Sequence, residues 1–420
     1  MSKLSQSAVG VTHEVRANGI CQVQLAVGRS HEKSRPPPHG RNGILTSFSH
    51  CARFRFGVAI SAALILFGAA CGAHAAETKA PALTFQRGVN ICHWLSQCFD
   101  RPYGGSWFTE KDVQWIAAQG FDHIRFPIDI RLWLKPDGSL DPVKIAPFED
   151  AIQWSRKQKL GIILDAHFLP GADFNAGGDG RAFVDPKLME RSVGIWREIA
   201  QRFAQEPADV RFEIINEPVA PENKQLNVLN RRMLAAIRES NPTRIVYLTS
   251  NRWSIISTFD DVELPDDPNI AFTFHFYEPL VFTHQNAPWV FPKQDLPPIK
   301  FPGIVPAAAP STKPGTSFPT YVGRTLSVAN DIDEPFAKMA AWAAKHAKGR
   351  EILLGEFGVY QAADDASTKA WLDGVLDACK RHGFAWNIWG YRSSEFGLLD
   401  WKGHETRLMG DLRPYLKLKK

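Results

Sequence analysis

Cysteine is scarce in this sequence. The 420 residues include six cysteines, three of them within the first 76 positions. Cys92, Cys98 and Cys379 remain in the rest of the chain, without the clustered Cys and His spacings of a zinc module. A disulfide-dense scaffold and a structural metal module are therefore excluded. Cys92 and Cys98 are close enough in sequence for a local disulfide, and two buried free thiols fit the same spacing.

Long apolar runs are also scarce. The longest is 58–70, which is too short for a comfortable membrane span. Arg53 and Arg55 precede this run and the small-residue segment 73–75 (AHA) follows it, which is the order of a secretory signal and its cleavage site. We therefore expect residues 1–76 to be a presequence and the mature protein to be secreted or periplasmic. An uncleaved N-terminal anchor is the alternative.

A surplus of one charge sign is missing once the presequence is set aside. The whole chain has a formal net charge of +5, but residues 77–420 carry 41 Lys and Arg against 42 Asp and Glu. The basic character therefore belongs to the presequence and predicts no nucleic-acid partner. The remaining length is sufficient for one large domain with a full core.

Internal repeats, heptads and a G-x-G-x-x-G segment are absent as well. Short apolar runs instead alternate with amphipathic segments, which predicts a (β/α)8 TIM barrel over residues 77–420, with an open doubly wound sheet as the runner-up. The predicted strands are 87–91, 122–126, 160–165, 210–215, 244–249, 270–275, 351–356 and 383–389. The predicted helices are 110–119, 147–159, 186–205, 222–240, a weak 252–260, 334–348 and 365–382.

One long segment breaks the alternation. Residues 279–330 are rich in proline, contain several aromatic residues and carry little charge. An insertion of this length after the sixth strand exceeds an ordinary connection. Because loops that follow barrel strands lie on the catalytic face, we expect this insertion to wall a substrate cleft. A surface excursion without a role in the cleft is the alternative.

Polar residues stand at the ends of the predicted strands, and a barrel brings all those ends to one rim. Two of them are the carboxylates Glu217 and Glu356, on strands that face each other across the barrel. Cleavage of a glycosidic bond needs one acid that protonates the leaving oxygen and one carboxylate that attacks the anomeric carbon. The other polar and aromatic residues at these ends are Arg125, His167, Asn216, His275, Tyr277, Trp386 and Trp389.

The motifs around these residues resemble those of glycoside hydrolase family 5, the large cellulase and mannanase family. Segment 215–218 (INEP) is similar to the signature that ends the family's fourth strand, and 355–358 (GEFG) is similar to its nucleophile motif. Arg125 lies in 124–127 (IRFP), like the family's second-strand arginine. Further similar positions are 87–90 (RGVN), 165–171 (DAHFLPG), 275–277 (HFY) and Trp389.

The resemblance implies a retaining mechanism with Glu217 as acid/base and Glu356 as nucleophile. It implies that Arg125 keeps Glu356 ionised, that Tyr277 hydrogen-bonds to it, and that Asn216 holds the sugar 2-hydroxyl. The negative charge of Glu356 is expected to favour the neutral form of Glu217. The remaining substrate contacts implied are His167 and His275 in the same subsite and Trp389 beneath the sugar ring.

The expected activity is endoglucanase-like hydrolysis of a β-linked glucan by a monomeric enzyme, without a metal or another cofactor and without stable membrane insertion after processing. Mannan hydrolysis, exo-acting cleavage of a β-1,3-glucan and transglycosylation are alternatives within the family. A glycan-binding barrel without catalysis is the alternative outside the enzyme class. Asp165 and Glu213 are expected to serve packing or pairing inside the barrel.

Overall fold

The structure is a computed structural model that describes residues 84–99, 101–175, 178–290, 297–307 and 321–416. The described residues belong to one compact unit. The predicted presequence, residues 1–76, lies outside them. No helix within these ranges has both the length and the apolar character needed to cross a membrane.

Eight parallel strands close into a barrel, as the alternating pattern predicts. The strands in chain order are β1 (Arg87–Asn90), β2 (His123–Asp129), β3 (Gly161–Phe168), β4 (Val210–Glu213), β5 (Val246–Thr249), β6 (Ile270–Phe276), β7 (Gly303–Ile304), β8 (Thr325–Leu326), β9 (Ile352–Phe357) and β10 (Ala385–Ile388). The barrel order is β1-β10-β9-β6-β5-β4-β3-β2, and β7 and β8 form a separate antiparallel pair. The (β/α)8 expectation is confirmed, and the doubly wound alternative is excluded by the closure.

Helices connect the barrel strands. They are α1 (Glu110–Gln119), α2 (Pro142–Lys157), α3 (Pro186–Arg202), α4 (Asn223–Arg238), α5 (Asn251–Ser254), α6 (Leu280–Thr283), α7 (Glu334–Trp342), α8 (Asp365–His382) and α9 (Arg407–Leu416). Helix α2 begins five residues before its predicted start, because Asp141 caps it by accepting from the Val143 amide and Pro142 occupies its first position.

Two features of the helical layer differ from the sequence prediction. Helix α9 had no predicted counterpart, although its buried face includes Leu408, Leu412 and Leu416 at helical spacing. The weak helix predicted at 252–260 is replaced by α5 and a 3-10 turn, Ile256–Asp261. Three consecutive residues of α5 have left-handed backbone angles, since φ is 55° at Arg252, 61° at Trp253 and 59° at Ser254.

The amino-terminal end of the barrel is closed by side chains. Phe85, just before β1, packs with residues from the starts of β3, β5, β6, β9 and β10, all of them buried. The ring of Phe85 lies so close to Gly161 that a Cβ there would overlap it. A reaction in this barrel is therefore confined to the carboxyl-terminal rim. The residues of this plug are Phe85, Ile163, Tyr247, Ala271, Leu353 and Ala385.

The long segment after β6 begins next to that rim, as far as its described residues show. Helix α6 opens it, and the hydroxyl of Thr283 donates to the main-chain oxygen of Tyr277. Trp289 is about half exposed, and its ring packs edge-on against Tyr360 at a centroid separation of 5.3 Å. The first part of the insertion thus borders the rim, and its role as a cleft wall stays a prediction.

The cysteines of the described residues are free thiols. Cys92 and Cys379 are buried, and Cys98 is half-buried. The Sγ of Cys98 faces the main-chain oxygen of Trp94 at 3.4 Å. The sequence is compatible with a disulfide between Cys92 and Cys98 or with two free thiols, and in the structure both are free thiols.

Candidate active site

Arg125 organises the centre of the rim. Its guanidinium, on β2, is fully buried and forms ion pairs with three carboxylates. The nitrogen–oxygen distances are 2.7 Å to Glu213, 2.7 Å to Glu356 and 3.0 Å to Asp165. Four strands are tied together by this one side chain. The expectation that Asp165 and Glu213 pair inside the barrel agrees with these contacts.

Two asparagines complete the coordination of the guanidinium. Asn90 Oδ1 accepts from Arg125 Nη1 at 2.9 Å, and Asn216 Oδ1 accepts from Nη2 at 2.8 Å. Because the oxygen of Asn216 faces the arginine, its Nδ2 is a free donor, buried and without a protein partner among the described residues. That is the donor a sugar hydroxyl needs. Asn90 was not among the predicted site residues, although it ends β1 as the others end their strands.

Glu217 follows β4 by four residues, in a strained conformation. Its φ is +41°, in the left-handed region that residues with a Cβ rarely occupy. Its side chain is 13% exposed, and Oε1 lies 2.8 Å from Nδ1 of His275. The next residue, Pro218, accepts a main-chain hydrogen bond from the left-handed Trp253. The contact of Glu217 with His275 and the contact of Pro218 with Trp253 hold this segment in place, so that the carboxyl group lies at the rim.

Glu356 enters the rim through an irregularity in the sheet. The β6–β9 register shifts between Phe274 and His275, which leaves Gly355 without a pairing partner and sets His275 opposite Glu356. The carboxylate accepts from Arg125 at 2.7 Å and from the Tyr277 hydroxyl at 3.2 Å. One of its oxygens, one of Glu217 and a ring nitrogen of His275 lie within 4.8 Å of one another.

Burial is the main cause of the raised pKa values of the carboxyl groups around Arg125. Burial raises the pKa of Glu217 to about 8, opposed by Arg125 and assisted by the charge of Glu213. Burial also raises the pKa of Asp165 to about 7 and raises that of Glu356, where His275 and Arg125 oppose it. The expected neutral Glu217 is therefore produced mainly by burial, rather than by the charge of Glu356.

The protonation order follows from the hydrogen bonds. The Glu356 carboxylate receives hydrogen bonds from a guanidinium and a phenol, which stabilise its charge. Glu217 has a ring nitrogen of His275 as its hydrogen-bond partner. Since burial lowers the pKa of His275 to about 4, that imidazole carries no charge near pH 7. A single proton shared by the pair therefore belongs on Glu217.

His167 and Trp389 form a stacked pair of rings. Their rings are stacked, with centroids 5.8 Å apart and planes 9° apart. His167 Nδ1 lies 2.8 Å from Asp165, and burial lowers the pKa of His167 to about 3. Each of the eight predicted site residues is thus found at this rim. Trp386 packs against Phe121 and Phe357 in the outer core instead, so of the two tryptophans only Trp389 belongs to the site.

Two exposed tryptophans lie beside the rim. Trp289 belongs to the aromatic insertion that the sequence predicts as a cleft wall, whereas Trp253 was missed from the sequence. Trp253 is about half exposed, and its Nε1 donates to the main-chain oxygen of Phe174 at 2.9 Å. Trp289, in the insertion, is exposed to a similar extent. The feature that marks these two tryptophans is that each stays about half exposed. Exposure is seen in the structure and is not visible in a sequence.

The same rim has the ligand types of a metal site in Glu217, His275 and Glu356. Each of these groups already has a protein partner, and Arg125 brings a positive charge against the carboxylates. This arrangement suits a carboxylate pair better than a divalent cation. The expected absence of a metal stays a prediction.

Known proteins match this chain over most of its length. The family model described as Cellulase (glycosyl hydrolase family 5) matches residues 79–395. Endoglucanase C of Acetivibrio thermocellus is 30% identical over 322 residues, which is 75% of this chain and 93% of that protein. Cellodextrinase A of Ruminococcus flavefaciens is 28% identical, over 71% of this chain and 83% of its own length.

A solved structure is similar in the same region. A hyperthermophilic endo-β-1,4-glucanase in complex with substrate is 27% identical, with a TM-score of 0.64, over 79% of this chain and 97% of that one. Residues 79–395, which the family model matches, contain both carboxylates and every other residue of the rim described above. By sequence, fold and the extent of the match, this protein is a glycoside hydrolase and belongs to the cellulase family, glycosyl hydrolase family 5.

Proposed function

We propose that the protein is an endo-acting β-1,4-glucanase that cleaves its substrate by double displacement. The observation that carries the proposal is the approach of the Glu217 and Glu356 carboxyl groups, which have oxygens within 4.8 Å of each other. A retaining glycosidase needs a separation of about 5 Å, whereas an inverting enzyme needs room for a water between the two groups.

In the first step, Glu356 attacks the anomeric carbon while Glu217 gives its proton to the leaving oxygen. Arg125 and Tyr277 hold the attacking carboxylate by hydrogen bonds of 2.7 and 3.2 Å, so that it meets the substrate ionised and oriented. The products of this step are a glycosyl ester on Glu356 and a released chain with a free hydroxyl. Glu217 is then ionised.

In the second step, Glu217 accepts a proton from a water molecule, which attacks the anomeric carbon and releases Glu356. Two inversions give net retention of configuration. The free Nδ2 of Asn216 is suited to the 2-hydroxyl of the bound sugar, and the face of Trp389 is suited to stacking with the ring. His167 and His275 line the same subsite as neutral groups.

The choice of a β-1,4-glucan rests on the relatives. Proteins named endoglucanase and endo-β-1,4-glucanase match this chain over three quarters of its length or more. Exposed Trp253 and Trp289 at the rim are consistent with an extended glycan chain that continues beyond the two carboxylates.

The test is hydrolysis of soluble β-1,4-glucan, β-1,3-glucan and mannan, with the anomeric configuration of the first product followed by NMR. We expect cleavage of the β-1,4-glucan within the chain, with retained configuration. Release of only short products from chain ends would replace the endo assignment with an exo assignment, and preferred cleavage of mannan would replace the substrate. Binding without cleavage would favour a catalytically silent barrel.

The proposal includes export from the cytoplasm. Its support is the arrangement of Arg53 and Arg55, the apolar run 58–70 and the small residues 73–75 in the amino-terminal sequence. N-terminal sequencing of the protein from a secreting host is expected to give a first residue near 76 or 77. A mature chain that retains residues 58–70 would replace cleavage with an anchored form.

A further inference from the structure

Two buried polar atoms converge on Gly355, the residue before the proposed nucleophile. A Cβ added to Gly355 would overlap Oγ1 of Thr273 and would lie 3.1 Å from Nε2 of His275. Thr273 and His275 are two residues apart on β6, so their side chains point to the same side of the sheet. The missing side chain of Gly355 leaves the hydroxyl and the ring nitrogen facing a shared notch.

Neither atom has another partner. Thr273 is fully buried and His275 is 3% exposed. Oγ1 of Thr273 and Nε2 of His275 make no hydrogen bond to any described residue. A buried polar atom left unsatisfied costs about 1–3 kcal/mol. The two atoms do not hydrogen-bond to each other either, so their convergence on one notch, next to the catalytic pair, indicates a water molecule that bridges them.

The other nitrogen of the same ring faces the proposed acid. Nδ1 of His275 lies 2.8 Å from Oε1 of Glu217 and 3.7 Å from Oε2 of Glu356. Burial lowers the pKa of the imidazole to about 4, with Glu356 and Glu213 opposing and Arg125 and His167 assisting. The ring is therefore neutral near pH 7, and it carries one hydrogen on one of its two nitrogens.

We propose that the Thr273 hydroxyl, through one water at the Gly355 notch, accepts the hydrogen bond that begins at Nε2–H of His275 and so keeps the lone pair of Nδ1 facing Glu217. The inference rests on the proposed function, because it explains how Glu217 enters the reaction as an acid. Thr273 is thus a positioning residue, which acts through His275.

The chemical consequence concerns the proton of Glu217. A lone pair at Nδ1 accepts a hydrogen bond from the protonated carboxyl, and it repels the ionised form. The opposite tautomer would donate to the carboxylate and would stabilise the charge. The tautomer set at Nε2 therefore raises the pKa of Glu217, and Thr273 is the group that sets it.

The first experiment compares Thr273→Val and Thr273→Ser in the full-length processed enzyme. Valine keeps the shape and removes the hydroxyl, so we expect the alkaline limb of kcat/KM against pH to move down by about one unit. Serine is expected to restore the wild-type limb.

Thr249→Val is the matched control. The hydroxyl of Thr249, one strand away, donates to the main-chain oxygen of Thr273 at 2.8 Å. Loss of this satisfied hydrogen bond should lower the melting temperature and leave the alkaline limb in place. An unshifted limb in Thr273→Val, or an equal shift in Thr249→Val, would overturn the inference, while hydrolysis by the wild type would leave the proposed function standing.

A second readout does not depend on activity. Ring-nitrogen NMR of histidine-labelled protein, assigned with His275→Gln, reports which nitrogen of His275 carries the hydrogen. We expect Nε2–H in the wild type and in Thr273→Ser, and a mixture of tautomers in Thr273→Val. A wild-type ring protonated at Nδ1 would contradict the inference. Failure of the wild type to cleave any β-glucan would instead contradict the proposed function, and the NMR result would still decide the tautomer.

Discussion

The barrel contains two buried arginines, one at each end, and their surroundings differ. At the carboxyl-terminal rim, Arg125 is fully buried and contacts three carboxylates. At the amino-terminal end, Arg211 pairs with Glu351, which is 22% exposed. Arg211 also donates to the Tyr247 hydroxyl and lies over the ring of Phe85 at 3.6 Å.

The difference lies in the balance of charge. The Arg211–Glu351 pair joins a buried cation to a partly solvated anion, and this pair ties the strand starts together around the plug. One cation against several buried acids leaves an excess of carboxyl groups, so protons stay bound at unusually high pH. The cluster around Arg211 at the amino-terminal end (the lower cluster) is therefore expected to serve stability. The cluster around Arg125 at the rim (the upper cluster) is expected to lose stability in exchange for reactive groups.

The largest expected effect separates the two clusters by activity. Glu356→Ala removes the proposed nucleophile, and we expect kcat to fall by about four orders of magnitude or more. Glu351→Ala, which removes the acid of the lower cluster, should leave kcat within about twofold. Steady-state hydrolysis of a soluble β-glucan measures both. Comparable losses in the two variants would remove the functional distinction between the ends.

The next effect concerns stability. Arg125→Met leaves three buried carboxylates without their cation, so the free energy of unfolding is expected to fall by about 3–5 kcal/mol. Arg211→Met leaves one carboxylate that reaches water, and a loss of about 2 kcal/mol is expected. Urea unfolding at pH 7 measures the two losses. A larger loss in Arg211→Met would show that the number of buried carboxylates left behind does not decide the cost of removing the cation.

The third effect depends on pH. The pKa of Glu217 rises from 4.5 to about 8 on folding, so the folded protein keeps a proton that the unfolded chain releases between these values. Its contribution to stability is complete below about pH 4.5 and is lost as the pH rises through about 8. We expect Glu217→Gln to exceed the wild type by about 4 kcal/mol in unfolding free energy at pH 8.5.

The control for this prediction is the same pair of proteins at pH 4.5. There Glu217 is protonated in the folded wild type, and the gap between the two proteins should nearly close. A gap that does not change between pH 4.5 and 8.5 would show that Glu217 does not titrate in this range. Denaturant unfolding at the two pH values gives the answer.

The smallest effect compares two tyrosines. Tyr277→Phe removes the 3.2 Å hydrogen bond to Glu356, and we expect kcat to fall about tenfold with little change in melting temperature. Tyr247→Phe removes the hydroxyl between Arg211 and Glu351, and we expect a loss of about 1 kcal/mol in stability with unchanged kcat. An activity loss in Tyr247→Phe would show that the two ends are coupled.

Some of this architecture was readable from local patterns. Each barrel strand lies within a few residues of its prediction, because buried parallel strands are continuous apolar runs between polar turns. Helix α8 has the bounds that its periodicity predicts. The prediction of a helix at 252–260 was wrong. Three successive left-handed residues there are held by contacts with Pro218 and Phe174, which lie far away in the chain.

The residues of the candidate site also fall into two groups, those that local motifs indicate and those that only the tertiary structure brings to the site. Glu217, Glu356 and Arg125 were predicted for the site because they stand at strand ends within recognisable motifs. Asn90 and Thr273 were not predicted for it, since neither lies in a chemical motif that is distinctive by itself. Each acquires a role only from what faces it: Arg125 for Asn90, and the Gly355 notch for Thr273.

The sequence by itself determined the closed barrel, the family and the two carboxylates, because these depend on periodicity and on motifs of adjacent residues. The tertiary structure alone decided the protonation of those carboxylates. Burial around Glu217, the sharing of Arg125 among three acids and the approach of His275 Nδ1 to 2.8 Å all join residues from different strands. Such distances act through space, and they are defined only when the barrel has closed.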